Sequence, residues 1–147
     1  MVYGNRASIE ELVTGKFAEV IDDVKADAKS VTKIVFCSGK IYYELLDQQE
    51  KEKVNNIAIV RIEQLYPFPA KQLQKIISKY TKATSYSWVQ EEPENMGAWG
   101  YLLRVWNTLK LNVVARSASA SPATGSHHAH EREQSELIGK VFEKAKA

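Results

Sequence analysis

The sequence has few of the features that mark secreted, membrane or strongly charged proteins. It contains one cysteine, Cys37, so no disulfide can form within the chain, as is usual in reducing compartments. No apolar run approaches the roughly 20 residues that a membrane-spanning helix needs. The 20 basic and 18 acidic side chains leave a net charge of +2. This balance does not favour binding to nucleic acid or to an anionic membrane, so we expect neither as a partner.

Motifs that mark nucleotide-binding proteins and hydrolases are also missing. The chain has no G-x-x-x-x-G-K-[ST] loop, no G-x-G-x-x-G fingerprint and no G-x-S-x-G elbow. Aromatic and basic residues do not alternate along one strand, as they would on a nucleic-acid platform. The sequence by itself therefore contains no complete active site.

What is present is an alternation of strand and helix patterns, in a chain long enough for one domain with a substantial core. Short apolar runs predict four strands, and a segment with helical spacing of apolar residues follows each of them. This order predicts an α/β fold, with a parallel or mostly parallel sheet and helices on both faces. The predicted strands are 33–37 (KIVFC), 57–62 (IAIVRI), 84–89 (TSYSWV) and 112–115 (NVVA).

Residues 1–32 differ from the rest and predict an arm or interdomain linker that leads into an α/β domain at 33–147. Ser8–Glu11 has the S-I-E-E pattern of a capping box, which predicts a short helix. The segment KFAEVI places Phe17, Val20 and Ile21 at helical spacing and predicts a second amphipathic piece. A polar connector follows.

Four conspicuous loops come directly after predicted strands. They are CSGK, EQLYPFP, QEEPE and RSASASPATG. Because the carboxyl ends of parallel strands meet at one edge of the sheet, these loops should form a common rim. Asn95, past the third strand, is a candidate cap for the next helix.

Each rim motif has alternative interpretations. Gly39-Lys40 could offer backbone N–H groups and a positive charge to an anion, or the glycine could simply permit a tight turn. The adjacent pair Glu91-Glu92 could serve acid–base chemistry, or an interface before a helix N-terminus. The H-H-x-H-E run at 127–131 could bind a metal, but no distant ligand supports that, and we expect no metal site.

Four long segments, in this order and spacing, resemble the C-terminal part of 2-oxoglutarate dehydrogenase E1 over about residues 8–142. They are VFCSGKIYYELL, IAIVRIEQLYPFP, WVQEEPENMGAW and RSASASPATG. The resemblance implies a three-layer fold like the C-terminal domain of transketolase, with five strands. It therefore predicts a fifth strand beyond the four found above, which we expect at an edge near the last helix.

The resemblance also implies a function. The full enzyme would be an oxidoreductase that decarboxylates 2-oxoglutarate with thiamine diphosphate and Mg²⁺ and passes the succinyl group to lipoyl-E2 in the citric acid cycle. The G-D-G…N-type motif that anchors this cofactor is absent here. We therefore expect this chain to bind no cofactor, to supply no catalytic residue and to be inactive alone. Its role would be assembly and regulation.

Partners and sites follow from the same resemblance. The expected partners are the upstream E1 domains, a second E1 subunit in a homodimer, and the E2 succinyltransferase, in bacterial cytoplasm or the mitochondrial matrix. Acetyl-CoA is a possible effector. The basic rim residues that match are Lys40, Arg61 and Arg116, although Ser117 stands where some members have a second basic residue. The expected interface residues are Glu91, Glu92, Pro93 and Trp99.

Two other hypotheses remain open at this point. One is a stand-alone α/β module that binds an acyl-CoA or a nucleotide at the rim. The other is a purely structural dimerisation domain, which would self-associate without responding to a ligand.

Overall fold

The computed structural model of the protein describes residues 17–143, in which one five-stranded sheet forms the centre. The sheet order is β1-β3-β2-β4-β5, with β1 antiparallel to β3 and every other neighbouring pair parallel. This confirms the mostly parallel sheet and its strand count. The strands are β1 (Val20–Ile21), β2 (Lys33–Cys37), β3 (Ile57–Ile62), β4 (Ser85–Pro93) and β5 (Asn112–Arg116).

Helices cover both faces of the sheet and give it two hydrophobic cores. Phe36 and Val60 point to one face and pack with Leu73, whereas Val35 and Ile59 point to the other and pack with Leu137. Because neighbouring residues of a strand face opposite sides, continuous apolar runs such as IAIVRI fill both cores at once. The helices are α1 (Ile41–Glu52), α2 (Ala70–Lys79), α3 (Trp99–Val105) and α4 (His127–Glu143).

The fifth strand is not where we expected it. It lies at Val20–Ile21 and pairs with Ile62 and Arg61 of β3, not near the last helix. The helical interpretation of KFAEVI is therefore wrong, and the side chain of Phe17 is 70% exposed. The outer edge of β3 needs hydrogen-bond partners, and this requirement outweighs a helical pattern only one turn long. The predicted capping box lies outside the described residues.

The polar connector after β1 is also part of the fold. Asp23 is only 4% exposed, and its carboxylate accepts a hydrogen bond from the backbone N–H of Ile59 at 3.0 Å. The buried Tyr80 donates its hydroxyl to Asp22 at 2.7 Å. Val31, fully buried, belongs to the core. Residues 20–31 are thus fastened to the sheet, while the domain boundary at residue 32 stays a prediction.

Strand β4 is longer than predicted. It continues through Glu91 and Glu92 to Pro93, with an irregular register between Val89 and Pro93. The glutamate pair therefore belongs to the end of a strand and not to a loop that follows it. Within residues 17–143, no helix is both long and apolar enough to cross a membrane.

Candidate functional site

The carboxyl ends of β2 and β4 enclose a cleft of about 290 Å³. The chain leaves β2 for β3 on one side and returns to β4 on the other, so the cleft lies where the direction of winding reverses. Such crevices are the usual binding positions of open α/β sheets. The cleft contains the Gly39-Lys40 turn and the glutamate pair. Its lining residues are Ser38, Gly39, Lys40, Leu65, Trp88, Val89, Gln90, Glu91, Glu92 and Ala98.

Glu91 is the centre of the polar contacts at this rim. Its carboxylate lies 2.5 Å from Lys40 Nζ and accepts a hydrogen bond from Gln134 Nε2 at 3.0 Å. Gln134 also donates to Glu44 at 2.9 Å, and Glu44 lies 3.6 Å from Lys40. The loop after β2, strand β4, helix α1 and helix α4 are thereby joined through the carboxylates of Glu91 and Glu44.

Lys40 stays protonated in this arrangement. Partial burial opposes its charge, but the hydrogen bond and charge of Glu91, helped by Glu44, raise the pKa of the ammonium above its ordinary value. Its side chain is 61% exposed, so the contact with Glu91 is a surface ion pair of small energetic value. An incoming anion would have to compete with two carboxylates for this lysine.

Arg116 reaches the same place from β5. Its Nε donates to the backbone carbonyl of Glu91 at 2.8 Å, and one terminal nitrogen lies 3.2 Å from the carboxylate of Glu133. The other terminal nitrogen donates to the carbonyl of Pro122 at 2.5 Å. The guanidinium, with its side chain only 14% exposed, therefore ties β4, α4 and the serine-rich loop together.

Arg61 lies apart from this cluster. Its guanidinium pairs with Glu63 at 2.9 Å and donates to the hydroxyl of Tyr43 at 2.9 Å. Its Cζ lies over the ring of Tyr42, 4.8 Å from the ring centroid. The structure thus brings two of the three basic residues of the sequence prediction together, Lys40 and Arg116, and both contact Glu91.

The two glutamates do not converge on one point. Glu91 is partly buried and engaged with Lys40, whereas Glu92 is exposed. Pro93 is buried and pairs with Arg116 of β5. Trp99 begins α3 and packs, partly buried, against the hydrophobic core. The use of these residues as an interface stays a prediction.

Sequence reasoning missed Gln90, which organises the turn after β4. Its side-chain oxygen accepts from the indole nitrogen of Trp88 at 2.8 Å and from the backbone N–H of Trp99 at 3.1 Å. Its side-chain nitrogen donates to the carbonyls of Pro93 at 3.0 Å and Met96 at 2.8 Å. A glutamine directly after the apolar pair Trp88-Val89 is the one sequence signal that could have revealed it.

Asn95 does not cap a helix, because α3 begins four residues later. Its amide forms a reciprocal pair with the backbone of Ser119, with distances of 3.0 and 3.1 Å. The two rim loops satisfy each other's polar groups in this way.

The histidine run lies at the exposed start of α4. His127 and His128 lie 3.6 and 3.9 Å from the carboxylate of Glu131. In the described range, 17–143, no group of three or more histidine, cysteine, aspartate or glutamate side chains is placed to hold a metal ion.

Comparison with known proteins assigns the chain to a family. The model of the 2-oxoglutarate dehydrogenase C-terminal family matches residues 6–142, nearly the whole chain. The chain belongs to that family. Similar proteins include oxoglutarate dehydrogenase of Buchnera aphidicola, 47% identical over 138 residues, and the 2-oxoglutarate dehydrogenase E1 component of Haemophilus influenzae, 41% identical over 138 residues. Each alignment covers 90% of this chain.

A further relative differs in its named substrate. The 2-oxoadipate dehydrogenase complex component E1 of Xenopus laevis is 43% identical over 142 residues, which cover 92% of this chain. The chain spans about 15% of the length of each of these three relatives.

Proposed function

We propose that this chain is the C-terminal assembly and regulatory domain of an E1 component. The complete enzyme would oxidatively decarboxylate 2-oxoglutarate and transfer the succinyl group to a lipoyl-bearing E2. The family match over residues 6–142 carries this proposal. Thiamine diphosphate and Mg²⁺ would supply the decarboxylation chemistry in the preceding domains, and the enzyme would reside in bacterial cytoplasm or the mitochondrial matrix.

The geometry supports an organising role for the rim. Glu91 is occupied by Lys40 and Gln134 within the domain, and Arg116 holds the backbone of the same residue. Glu92 is exposed. We therefore propose that Glu92 is the carboxylate that docks on the neighbouring domain or on the second E1 subunit, while Glu91 fixes the strand that presents it.

The dissociation constant of the full-length E1 homodimer and the melting temperature of the isolated domain distinguish these two roles. Glu92→Ala should weaken dimerisation or domain packing without lowering the melting temperature of the isolated domain. Glu91→Ala should lower that melting temperature. Unchanged dimer dissociation and unchanged activity in a protein with both substitutions would contradict the docking role.

Acetyl-CoA is the proposed effector, and Lys40 and Arg116 are the residues best placed for its phosphates. Since Lys40 is paired with Glu91, Glu91→Gln should free the ammonium and tighten binding. Titration calorimetry with acetyl-CoA on full-length E1 tests this. Binding that is absent, or that is indifferent to Lys40→Ala, Arg116→Ala and Glu91→Gln, would remove the effector site from this rim.

The activity itself is tested on the full-length polypeptide, mixed with E2, coenzyme A to accept the succinyl group, and the flavoprotein that reoxidises the lipoyl groups. We expect NAD⁺ reduction with 2-oxoglutarate, and none when the isolated chain replaces full-length E1. Because one relative is named for 2-oxoadipate, that acid is the competing substrate to assay. An immunoblot of the source cells distinguishes the stand-alone alternative, which requires a band at 16.6 kDa.

A further inference from the structure

The sheet separates two helical layers of opposite charge. Helices α2 and α3, which pack on one face, carry four basic side chains and no acidic one. Helices α1 and α4, on the other face, carry eight acidic and three basic side chains. The whole chain has a net charge of only +2, so the cationic layer results from the placement of charges and not from composition.

Helix α2 presents its lysines as one stripe. Lys71, Lys75 and Lys79 are four residues apart, which places them above one another on the helix surface, and Lys82 follows in the turn after the helix and is counted here as part of the lysine stripe. All four are exposed. Like charges four residues apart repel each other by a few tenths of a kcal/mol.

Little in the described structure offsets this repulsion. Lys79 pairs with Asp22 at 2.7 Å, but no ion pair found within residues 17–143 involves Lys71, Lys75 or Lys82. No acidic residue occurs between Gln64 and Gln90. The stripe is thus a positive surface on which three of the four lysines have no carboxylate partner among the described residues.

Exposed apolar side chains accompany this surface. Tyr66, in the loop before α2, is 83% exposed, and Leu103 on α3 is 53% exposed. The hydroxyl of Tyr101 on α3 donates to the carbonyl of Leu65 at 2.9 Å, so the loop and α3 lie together. Apolar side chains bordered by charge are typical of a protein interface. A single-stranded nucleic-acid site would instead need several stacked aromatic rings.

We propose that the lysine stripe, together with Tyr66 and Leu103, is a docking surface for an acidic protein segment. The partner segment would carry several aspartate or glutamate residues and an apolar side chain between them. Charge complementarity sets this chemistry, because Lys71, Lys75 and Lys82 present three positive charges without a described counter-ion. This surface differs from the rim, where Lys40 and Arg116 already have carboxylate partners.

Zero-length carbodiimide cross-linking tests the proposal directly, since it joins a lysine amine to a carboxylate that it touches, as an amide. The sample is the full-length polypeptide isolated under native conditions with its associated proteins. We expect Lys71, Lys75 or Lys82 to be linked to aspartate or glutamate of another protein. Lys40 linked to Glu91 serves as the internal positive control.

Cross-links from Lys71, Lys75 and Lys82 that all stay within residues 1–147, or none at all beside a successful control, would overturn the proposal. So would a partner found elsewhere in the same polypeptide, because the surface would then be an internal packing face.

Charge reversal provides the second test. In the full-length protein, Lys71→Glu, Lys75→Glu and Lys82→Glu together should slow association with the cross-linked partner at low salt about tenfold or more, and change the dissociation rate less. The matched control reverses three exposed lysines elsewhere, Lys29, Lys51 and Lys140. If the two triple variants slow association with the partner equally, the proposal that the lysine stripe is the docking surface is overturned.

Other polyanions are tested with the same variants. The probes are single-stranded RNA and vesicles containing phosphatidylserine. Loss of binding to either probe in the stripe variant, with protein association unchanged, would show that the surface recognises a different class of partner and would overturn the proposal.

Discussion

The side-chain oxygen of Gln90 lies 2.8 Å from the indole nitrogen of Trp88, two residues earlier on the same strand. Both side chains are buried, so this contact replaces the water that each polar group would otherwise bind. The side-chain nitrogen of the same glutamine donates to the carbonyls of Glu92 and Pro93 at the end of β4. The shape of the rim thus depends on a residue with no expected role in chemistry.

Gln90→Ala should destabilise the chain by about 2–3 kcal/mol, since it removes the hydrogen-bond partner of the buried Trp88 indole N–H, of the Trp99 backbone N–H and of the Met96 carbonyl. Urea unfolding measures this change. Gln74→Ala, at an exposed position of α2, is the control and should change the unfolding free energy by less than about 0.5 kcal/mol. Equal values for the two variants would contradict the structural role of Gln90.

Gly97→Ala and Gly100→Ala should change the stability of the chain in opposite directions. Gly97 has φ of +66°, and a Cβ there would lie 3.1 Å from the amide of Gln90 and from Cβ of Glu92, so alanine should destabilise by about 1–2 kcal/mol. Gly100 lies within α3 with open space beside it, so alanine should stabilise by roughly 0.5–1 kcal/mol. Thermal unfolding compares the two variants, and a loss of stability at both sites would contradict the helical gain expected at Gly100.

Tyr80 should make stability depend on alkaline pH. Burial and the hydrogen bond to Asp22 raise the pKa of its phenol, so in the folded protein it stays protonated where an unfolded tyrosine ionises, above roughly pH 10. The unfolded state then binds fewer protons, and the unfolding free energy falls as the pH rises from that point.

The variant Tyr80→Phe should cost about 1–2 kcal/mol at neutral pH, and this difference from the unmodified chain should shrink above pH 10. Tyr66→Phe, at an 83% exposed position, serves as the control. A difference that does not depend on pH would show that the Tyr80 hydroxyl is not held in its neutral form.

Asp23→Ala should leave the backbone N–H of Ile59, at the edge of β3, without its hydrogen-bond acceptor. The variant removes the acceptor of the Ile59 N–H, and that of the N–H groups of Lys25 and Ala26, at a cost of about 2–3 kcal/mol. Hydrogen exchange read at the Ile59 amide should accelerate more than exchange at Ala58. Asp27→Ala, at an exposed position, should leave both amides protected.

Cys37 should be inert in the folded chain. Burial raises the pKa of its thiol to about 12, and its Sγ has no exposed surface to offer a reagent. We expect no alkylation by iodoacetamide at pH 8 over hours, and complete reaction in urea. The Ser117→Cys variant should acquire one label in the native state, because that position is exposed.

Much of this architecture could be predicted from the order of strand and helix patterns. Segments such as KIVFC and IAIVRI are short, apolar on both faces and bounded by turn residues, and they gave β2 and β3 with correct bounds. The edge strand at Val20–Ile21 could not be predicted, because two residues hold no periodicity. Its conformation comes from the open hydrogen bonds of β3, which are a property of the assembled sheet.

For the candidate site, too, the sequence predicted one part and the tertiary structure decided the other. The sequence by itself determined that Lys40, Glu91 and Arg116 follow or end parallel strands, since strand order along the chain implies a shared edge. Only the tertiary structure decided that Glu91 turns towards Lys40 and Gln134 while Glu92 faces outward, because strand alternation and the irregular register before Pro93 set the side-chain directions. Four linear motifs were enough to indicate the family. The opposite charges of the two helical layers could not be predicted, because they depend on which helix covers which face of the sheet.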